Sequence, residues 1–237
     1  MLKVEGLTKK YGSKKAVDNL SIEVKAGEIF GFIGHNGAGK TTTIKSIVGI
    51  LEFDEGEVFI DGISIKDNPI DCKKKIAYIP DNPDIYENLT GIQFLNFISD
   101  IYEIDKEKRM DLIRKYSKAF ELEENLSDLI SSYSHGMKQK LVIISALIHE
   151  PKLLILDEPF VGLDPKASFT LKEIMKEMTS KGKSIFFSSH VLEVVEKLCD
   201  RVGIIKNGNL ITCGTVSEVK GNESLEEVFL ELIKNEE

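Results

Sequence analysis

The chain has 237 residues, 42% of them hydrophobic and 30% charged, with a formal net charge of −8 at pH 7. That is the composition of a soluble globular protein able to bury a full core, as one large domain or a domain with an insertion. The acidic balance argues against a nucleic-acid backbone binder, which needs a basic footprint, and Arg109, Arg114 and Arg201 are the only arginines.

Cys72, Cys199 and Cys213 lie far apart and lack C-x-x-C spacing, which reads as reduced, partly buried thiols. Met1 to Gly6 carries no signal-peptide apolar core. The best apolar run, Leu141 to Ile148, is shorter than the roughly 18 residues of a membrane span. A cytoplasmic chain is expected, peripheral to a membrane only through a partner.

Alternation over Lys3 to Leu7 and Leu20 to Val24 suggests short strands, with turns at Tyr11-Gly12 and Lys25-Ala26-Gly27. Glu28 to Ile33 reads as a buried strand, and Thr43 to Leu51 repeats its apolar residues at helical spacing. Gly56 to Gly62 and Lys75 to Pro80 are two further strands. Strands on both sides of the loop helix predict a mixed sheet with an antiparallel β annex. Glycine then becomes scarce, and Phe94, Leu95, Phe97, Ile98 and Ile101, followed by Leu112, Ile113, Tyr116, Phe120 and Leu122, predict a helical insertion. The α/β pattern resumes at the strand Leu153 to Leu156. Asp164-Pro165 supplies an N-cap and N1 proline for a helix through about Met178. A strand over Ser184 to Ser188, a helix from Val191 to about Cys199 and a hairpin turn at Asn207-Gly208 follow.

Two capping boxes, Thr215 with Glu218 and Ser224 with Glu227, mark helices in the tail. The second helix places Leu225, Val228, Phe229, Leu232 and Ile233 on one face. Its opposite side is acidic, so that face should pack on its own domain or on a partner, not on anionic lipid. The fold class is α/β: an α/β core over about residues 1–84 and 151–214, a helical subdomain over about 85–150, and a helical tail over about 215–237.

Gly34 to Thr42, GHNGAGKTT, lies between the Glu28–Ile33 strand and the Thr43–Leu51 helix. Gly34, Gly39, Lys40 and Thr41 fit G-x-x-x-x-G-K-[ST] in the strand–loop–helix context the motif requires. Glycines let backbone N–H groups close on phosphate oxygens, and a helix N-terminus adds free donors and partial positive charge. Lys40 is placed for the outer phosphates and the Thr41 hydroxyl for Mg²⁺; the chain binds a nucleotide.

Asp157 and Glu158 follow the Leu153–Leu156 strand, where ligands of open α/β sheets bind. Asp157 is placed to hold Mg²⁺ and Glu158 to orient or deprotonate a water. Asp-Glu-Pro alone also reads as a surface turn. Ser134, in Tyr133-Ser134-His135-Gly136-Met137, sits at a predicted helix N-terminus and offers a second anion site, although an ordinary N-cap looks the same. His190 follows the strand over Ser184 to Ser189, within reach of a γ-phosphate. His149 has no evident partner and reads as structural.

Together these residues resemble an ATP-binding-cassette (ABC) ATPase of the exporter-like type whose membrane spans are on a separate chain, and the resemblance covers essentially the whole sequence. It identifies the loop of Gly34, His35, Asn36, Gly37, Ala38, Gly39, Lys40, Thr41 and Thr42 as Walker A. Leu153 to Glu158 resembles Walker B with the catalytic Glu158, Tyr133 to Met137 the signature, Gly162-Leu163-Asp164 the D-loop, and His190 the switch histidine. Tyr11 matches the aromatic that stacks on adenine. The resemblance implies a P-loop NTPase core, ATP and Mg²⁺, and catalytic roles for Glu158, His190 and Lys40. It also implies a two-fold dimer in which Ser134 and Gly136 of one subunit cap the ATP of the other, and a transmembrane permease on a separate chain.

Two departures stand out. Asp81 occupies the position where the family usually has glutamine; it can still contact Mg²⁺ through oxygen but cannot donate as an amide does. In the signature, Tyr133, His135 and Met137 differ from the usual LSGGQ, while Ser134 and Gly136 remain. The expected function is an ATPase subunit powering transport, export by its signature and closing Leu-Glu-Glu-Val-Phe-Leu-Glu-Leu stretch. A soluble ABC ATPase acting on nucleic acid or ribosomes is the alternative, disfavoured by the acidic balance; no nucleic-acid partner is expected. A P-loop kinase or GTPase would leave the Ser134 stretch unexplained.

Overall fold

Two sheets divide the strands between them in the computed structural model, which describes residues 1–82 and 84–234, with the side chains of 233 and 234 set aside. The face on which the Ile233 side chain is expected, and the end of the tail at 235–237, lie outside that description.

The first sheet is antiparallel, in the order β2-β1-β4-β5: β1 (Leu2–Tyr11), β2 (Lys14–Val24), β4 (Glu55–Ile60) and β5 (Ile63–Ser64). Leu20, Ile22 and Val24 are buried while Ser21 and Glu23 are exposed, the period-two pattern of a sheet with one dry face. Val4 pairs with Ile22 on one side and Val58 on the other, so these side chains share that face. β1 and β2 run well past the short strands expected, because backbone pairing carries through the polar stretch to Tyr11 opposite Lys14.

The second sheet has the order β10-β9-β3-β8-β7-β6. It joins β3 (Ile29–Ile33), β6 (Ile76–Ile79), β7 (Leu153–Asp157), β8 (Ser184–Ser189), β9 (Arg201–Lys206) and β10 (Asn209–Thr215). All its pairs are parallel except β9 with β10. β3, β7 and β8 are buried at every position, as expected of strands covered on both faces. Along β7, Leu153 and Ile155 enter a core shared with the antiparallel sheet and α1 (Lys40–Ile47), while Leu154 and Leu156 enter one shared with the helices.

Those helices are α3 (Gly91–Ile101), α4 (Lys106–Ala119) and α5 (His135–Leu147), inserted between β6 and β7 after the short α2 (Pro69–Lys73). Thr90 and Gln93 form a capping box on α3, and Asp105 caps α4. Phe94, Leu95, Ile113, Tyr116 and Phe120 pack with Leu141 and Ile144 of α5. His149 does have partners: its Nε2 lies 3.0 Å from the Ile76 carbonyl oxygen, and its ring stacks on Tyr102 with centroids 3.8 Å apart. Burial pushes its pKa down. The chain closes with α6 (Pro165–Ser180), α7 (Leu192–Leu198), α8 (Val216–Lys220) and α9 (Leu225–Lys234). Among the described residues no helix is long and apolar enough to cross a membrane.

Candidate active site

β3, β6, β7 and β8 run parallel, so the loops leaving their C-terminal ends gather on one edge of the sheet. The loop after β3 is tightly housed. A Cβ on Gly34 would lie 2.5 Å from the Ile205 carbonyl oxygen, and one on Gly39 would lie 2.5 Å from that of Ala16. Gly39 has a φ of +112°, and no side chain caps α1, which leaves its first-turn N–H groups available to an anion.

Lys40 is buried, with Nζ donating to the carbonyls of Gly34 at 2.7 Å and His35 at 3.3 Å and lying 3.6 Å from Glu158 Oε1. Glu158 Oε2 is 2.9 Å from His190 Nδ1 and accepts the His190 backbone N–H at 3.3 Å. Glu158 has a φ of +49° immediately before Pro159, a strained setting for a non-glycine residue that fixes where its side chain leaves the chain. Ser188 ties the two acids together: its hydroxyl donates to Asp157 Oδ1 and accepts the Glu158 N–H at 3.0 Å. Asp157 is fully buried and its Oδ2 has no hydrogen-bond partner.

These groups border a cavity of about 610 Å³. His35, Asn36, Gly37, Gly39, Lys40, Thr41, Thr42, Asp81, Asp157 and Glu158 all line it. Gly34 and Ala38 lie buried beneath, and His190 stands behind Glu158. Tyr11, Ser134 and Gly136 are not on the lining. Tyr11 is 53% exposed, with Lys9 Nζ 5.4 Å from its ring centroid. Ser134 caps α5 through a bond from the Met137 N–H, and a Cβ on Gly136 would lie 3.1 Å from the Gly162 carbonyl oxygen. Asp164 caps α6 and pairs with Lys140 of α5 at 2.7 Å, which holds its carboxyl below the usual range.

Sequence reasoning missed Ser188, a lone serine in an apolar strand, and the wall formed by Lys14, Lys15, Ala16, Asn207 and Gly208. The Asn207-Gly208 turn was legible; its place against the loop was not. The Gly208 N–H donates to the Ala38 carbonyl at 2.8 Å, and the Gly208 carbonyl accepts the Asp18 N–H at 2.8 Å.

The residues present fit a divalent cation. Asp157 Oδ2 is a buried anionic oxygen in need of a partner, and Thr41 lines the same cavity. Among the described residues there is no cluster of three or more His, Cys, Asp or Glu side chains able to hold a metal. A cation here would draw most of its shell from phosphate and water, as Mg²⁺ does at nucleotides.

A phosphate-binding loop facing strand-end carboxylates across such a cavity defines a P-loop nucleotide-hydrolysing fold. Residues 17–161 match the ABC transporter family. The ABC-type transporter ATP-binding protein EcsA of Bacillus subtilis (strain 168) is 35% identical over 100% of this chain and 98% of its own length. The bacitracin transport ATP-binding protein BcrA of Bacillus licheniformis is 40% identical over 89% of this chain and 68% of its own length. A solved ATP binding subunit of an ABC transporter superposes with a TM-score of 0.95 at 36% identity, covering 99% of this chain and 100% of the other. The chain belongs to the ABC transporter family, as an ATP-binding subunit with ATPase activity.

Proposed function

We propose that this subunit powers export through a permease whose membrane spans are on a separate chain, working from the cytoplasmic face as one half of a two-fold ATPase dimer. The observation that carries the dimer is the division of the site. Lys40, Asp157 and Glu158 surround one cavity, whereas Ser134 is exposed outside it, so a second copy or a related cassette is needed to bring the two kinds of surface together. Each subunit then contributes Ser134 and Gly136 to the ATP of the other, giving two composite sites. The permease is supported by family membership together with the lack of a membrane-crossing helix among the described residues. The transport role named for BcrA is a bacitracin one; cargo for this chain is specified by its partner.

Within each site, backbone donors of residues 34–42 and the Lys40 ammonium bind the phosphates, Tyr11 stacks on the base, and Glu158 accepts a proton from the attacking water. His190 holds Glu158 in position and reaches the γ-phosphate. Thr41 and Asp157 would hold Mg²⁺, with Asp81 on the rim, and the ion supplies charge neutralisation at the outer phosphates.

The test is isolation of the native chain from membranes. Co-purification with a polypeptide of several long apolar segments is expected; a chain that partitions with ribosomes or nucleic acid would overturn the transport reading. ATP should also drive dimerisation in solution when hydrolysis is blocked.

A further inference from the structure

The β1–β2 hairpin closes a side of the cavity that no motif accounts for. Tyr11 and Lys14 pair directly across the Gly12-Ser13 turn, so both side chains leave the same face, with Cβ atoms about 5 Å apart. Two residues further along, the Ala16 carbonyl backs onto Gly39 of the phosphate loop. The hairpin therefore runs from the phosphate end of the site to the aromatic assigned to the base, and Lys14 lies in between. Lys14, Lys15 and Ala16 all border the cavity.

The lysines on this lining are not equivalent. Lys40 is held by loop carbonyls and Glu158, and Lys15 is paired with Asp18 at 2.7 Å. Lys14 is exposed and makes no ion pair or side-chain hydrogen bond among the described residues. The same cavity carries the carboxylates of Asp81, Asp157 and Glu158. An anion with phosphates at Gly39 and a base near Tyr11 must pass Lys14 with the segment that joins them.

We propose that Lys14 is a nucleotide-binding residue whose ammonium pairs with the α-phosphate of ATP and of ADP. This rests on the ATP-site reading and deepens it. A flexible point charge at an open rim suits a phosphate oxygen better than the neutral base or sugar. Because both nucleotides share the α-phosphate, Lys14 contributes affinity without discriminating between them.

The experiment measures binding of MgATP, MgADP and adenosine to the full chain and to Lys14→Met, at low and high salt, with thermal melts to check folding. Both nucleotides should bind the variant about threefold to fivefold more weakly, the range of an exposed charge pair. Adenosine binding should be unchanged, the difference should shrink at high salt, and Lys14→Arg should recover most of the loss. Unchanged ATP and ADP affinity would overturn the proposal. So would an equal loss for adenosine, which moves the contact to base or sugar, or a loss confined to ATP, which moves it to the γ-phosphate. A wild-type chain that binds neither nucleotide refutes the ATP site itself; normal wild-type binding with an unaffected variant refutes only the role of Lys14.

Discussion

Lys40 and Glu158 meet inside the cavity, Nζ to Oε1 at 3.6 Å, although one opens α1 and the other follows β7. The other carboxylate oxygen of Glu158 is bound to His190 through both Nδ1 and the backbone N–H. A carboxylate gripped from both sides is oriented before any water reaches it. Glu158→Gln keeps the shape and removes the basicity, so ATP turnover should fall about 10²- to 10³-fold while ATP still binds. The variant should accumulate as an ATP-dependent dimer. Phosphate release and light scattering read the two effects; turnover at the wild-type rate would remove Glu158 from the role of base.

Lys40 is the complementary case. Its side chain is 7% exposed and its ammonium is held by the Gly34 and His35 carbonyls, so it is positioned by the same loop that presents the N–H donors. Lys40→Ala leaves Asp81, Asp157 and Glu158 facing a triphosphate with no buried cation between them. Affinity for MgATP should drop at least about tenfold by calorimetry. Unaltered affinity would sink the loop assignment.

Asp81, which the sequence resemblance sets at a position usually held by glutamine, is exposed on the cavity rim, with Oδ1 accepting the Asn82 N–H at 2.8 Å. Its charge adds to that of Asp157 and Glu158, which raises the cost of bringing in ATP without a counter-cation. Asp81→Asn should therefore narrow the difference in affinity between MgATP and metal-free ATP by about threefold. A difference identical to that of the wild type would place Asp81 outside the metal's reach.

How far such a site can be read from residues alone depends on whether the signal is local. Gly34 to Thr42 was legible because glycine spacing, a buried strand and a helix start lie within a few residues of one another. Asp157 and Glu158 were legible because an apolar run ends on them. Ser188 carries no pattern, and its value comes from β8 lying beside β7, which pairs it with Asp157. The extension of β1 and β2 was hidden because Lys9, Lys10, Lys14 and Lys15 look like loop residues, yet their backbones pair. The contact of Gly208 with Ala38 joins remote parts of the chain and has no sequence signature. Ser134 was legible only as a helix-start anion site that an ordinary N-cap would match; its role with Gly136 came by resemblance, and both lie away from the cavity of their own chain, which is why a second subunit enters the reading.

The two sheets are also fastened electrostatically. Asp61, in the β4–β5 turn, accepts from Lys75 at 2.7 Å and Lys152 at 2.9 Å, the lysines just ahead of β6 and β7. They hold its carboxyl down at about 2, against an ordinary 3.8. A depressed carboxylate contributes stability that is full above its unfolded value and is lost as pH falls through its folded one. With 32% of the side chain exposed, solvent screening reduces the contribution to about 1 kcal/mol. Asp61→Asn should be less stable than wild type by that amount at neutral pH, and the gap should close between about pH 4 and pH 2. Urea midpoints across that range test it; a gap that persists at the acid end would assign the loss to something other than these ion pairs.

Gly37 and Gly39 separate backbone strain from crowding within one loop. Both have positive φ, +82° and +112°, which side chains disfavour. A Cβ on Gly37 would meet nothing within 4 Å, whereas one on Gly39 would meet the Ala16 carbonyl at 2.5 Å. That carbonyl belongs to β2, and Gly208 backs onto it too, so it has little room to retreat. Gly37→Ala should therefore cost only conformational strain, about 1 kcal/mol. Gly39→Ala adds displacement of β2 or of the loop and should cost about 3 kcal/mol, with loss of nucleotide binding as Lys40 is carried out of place. Thermal unfolding of the two variants beside nucleotide titrations distinguishes them. Equal destabilisation would mean that the loop yields without moving β2, and that the packing of Ala16 against Gly39 does not hold the phosphate end of the site in place.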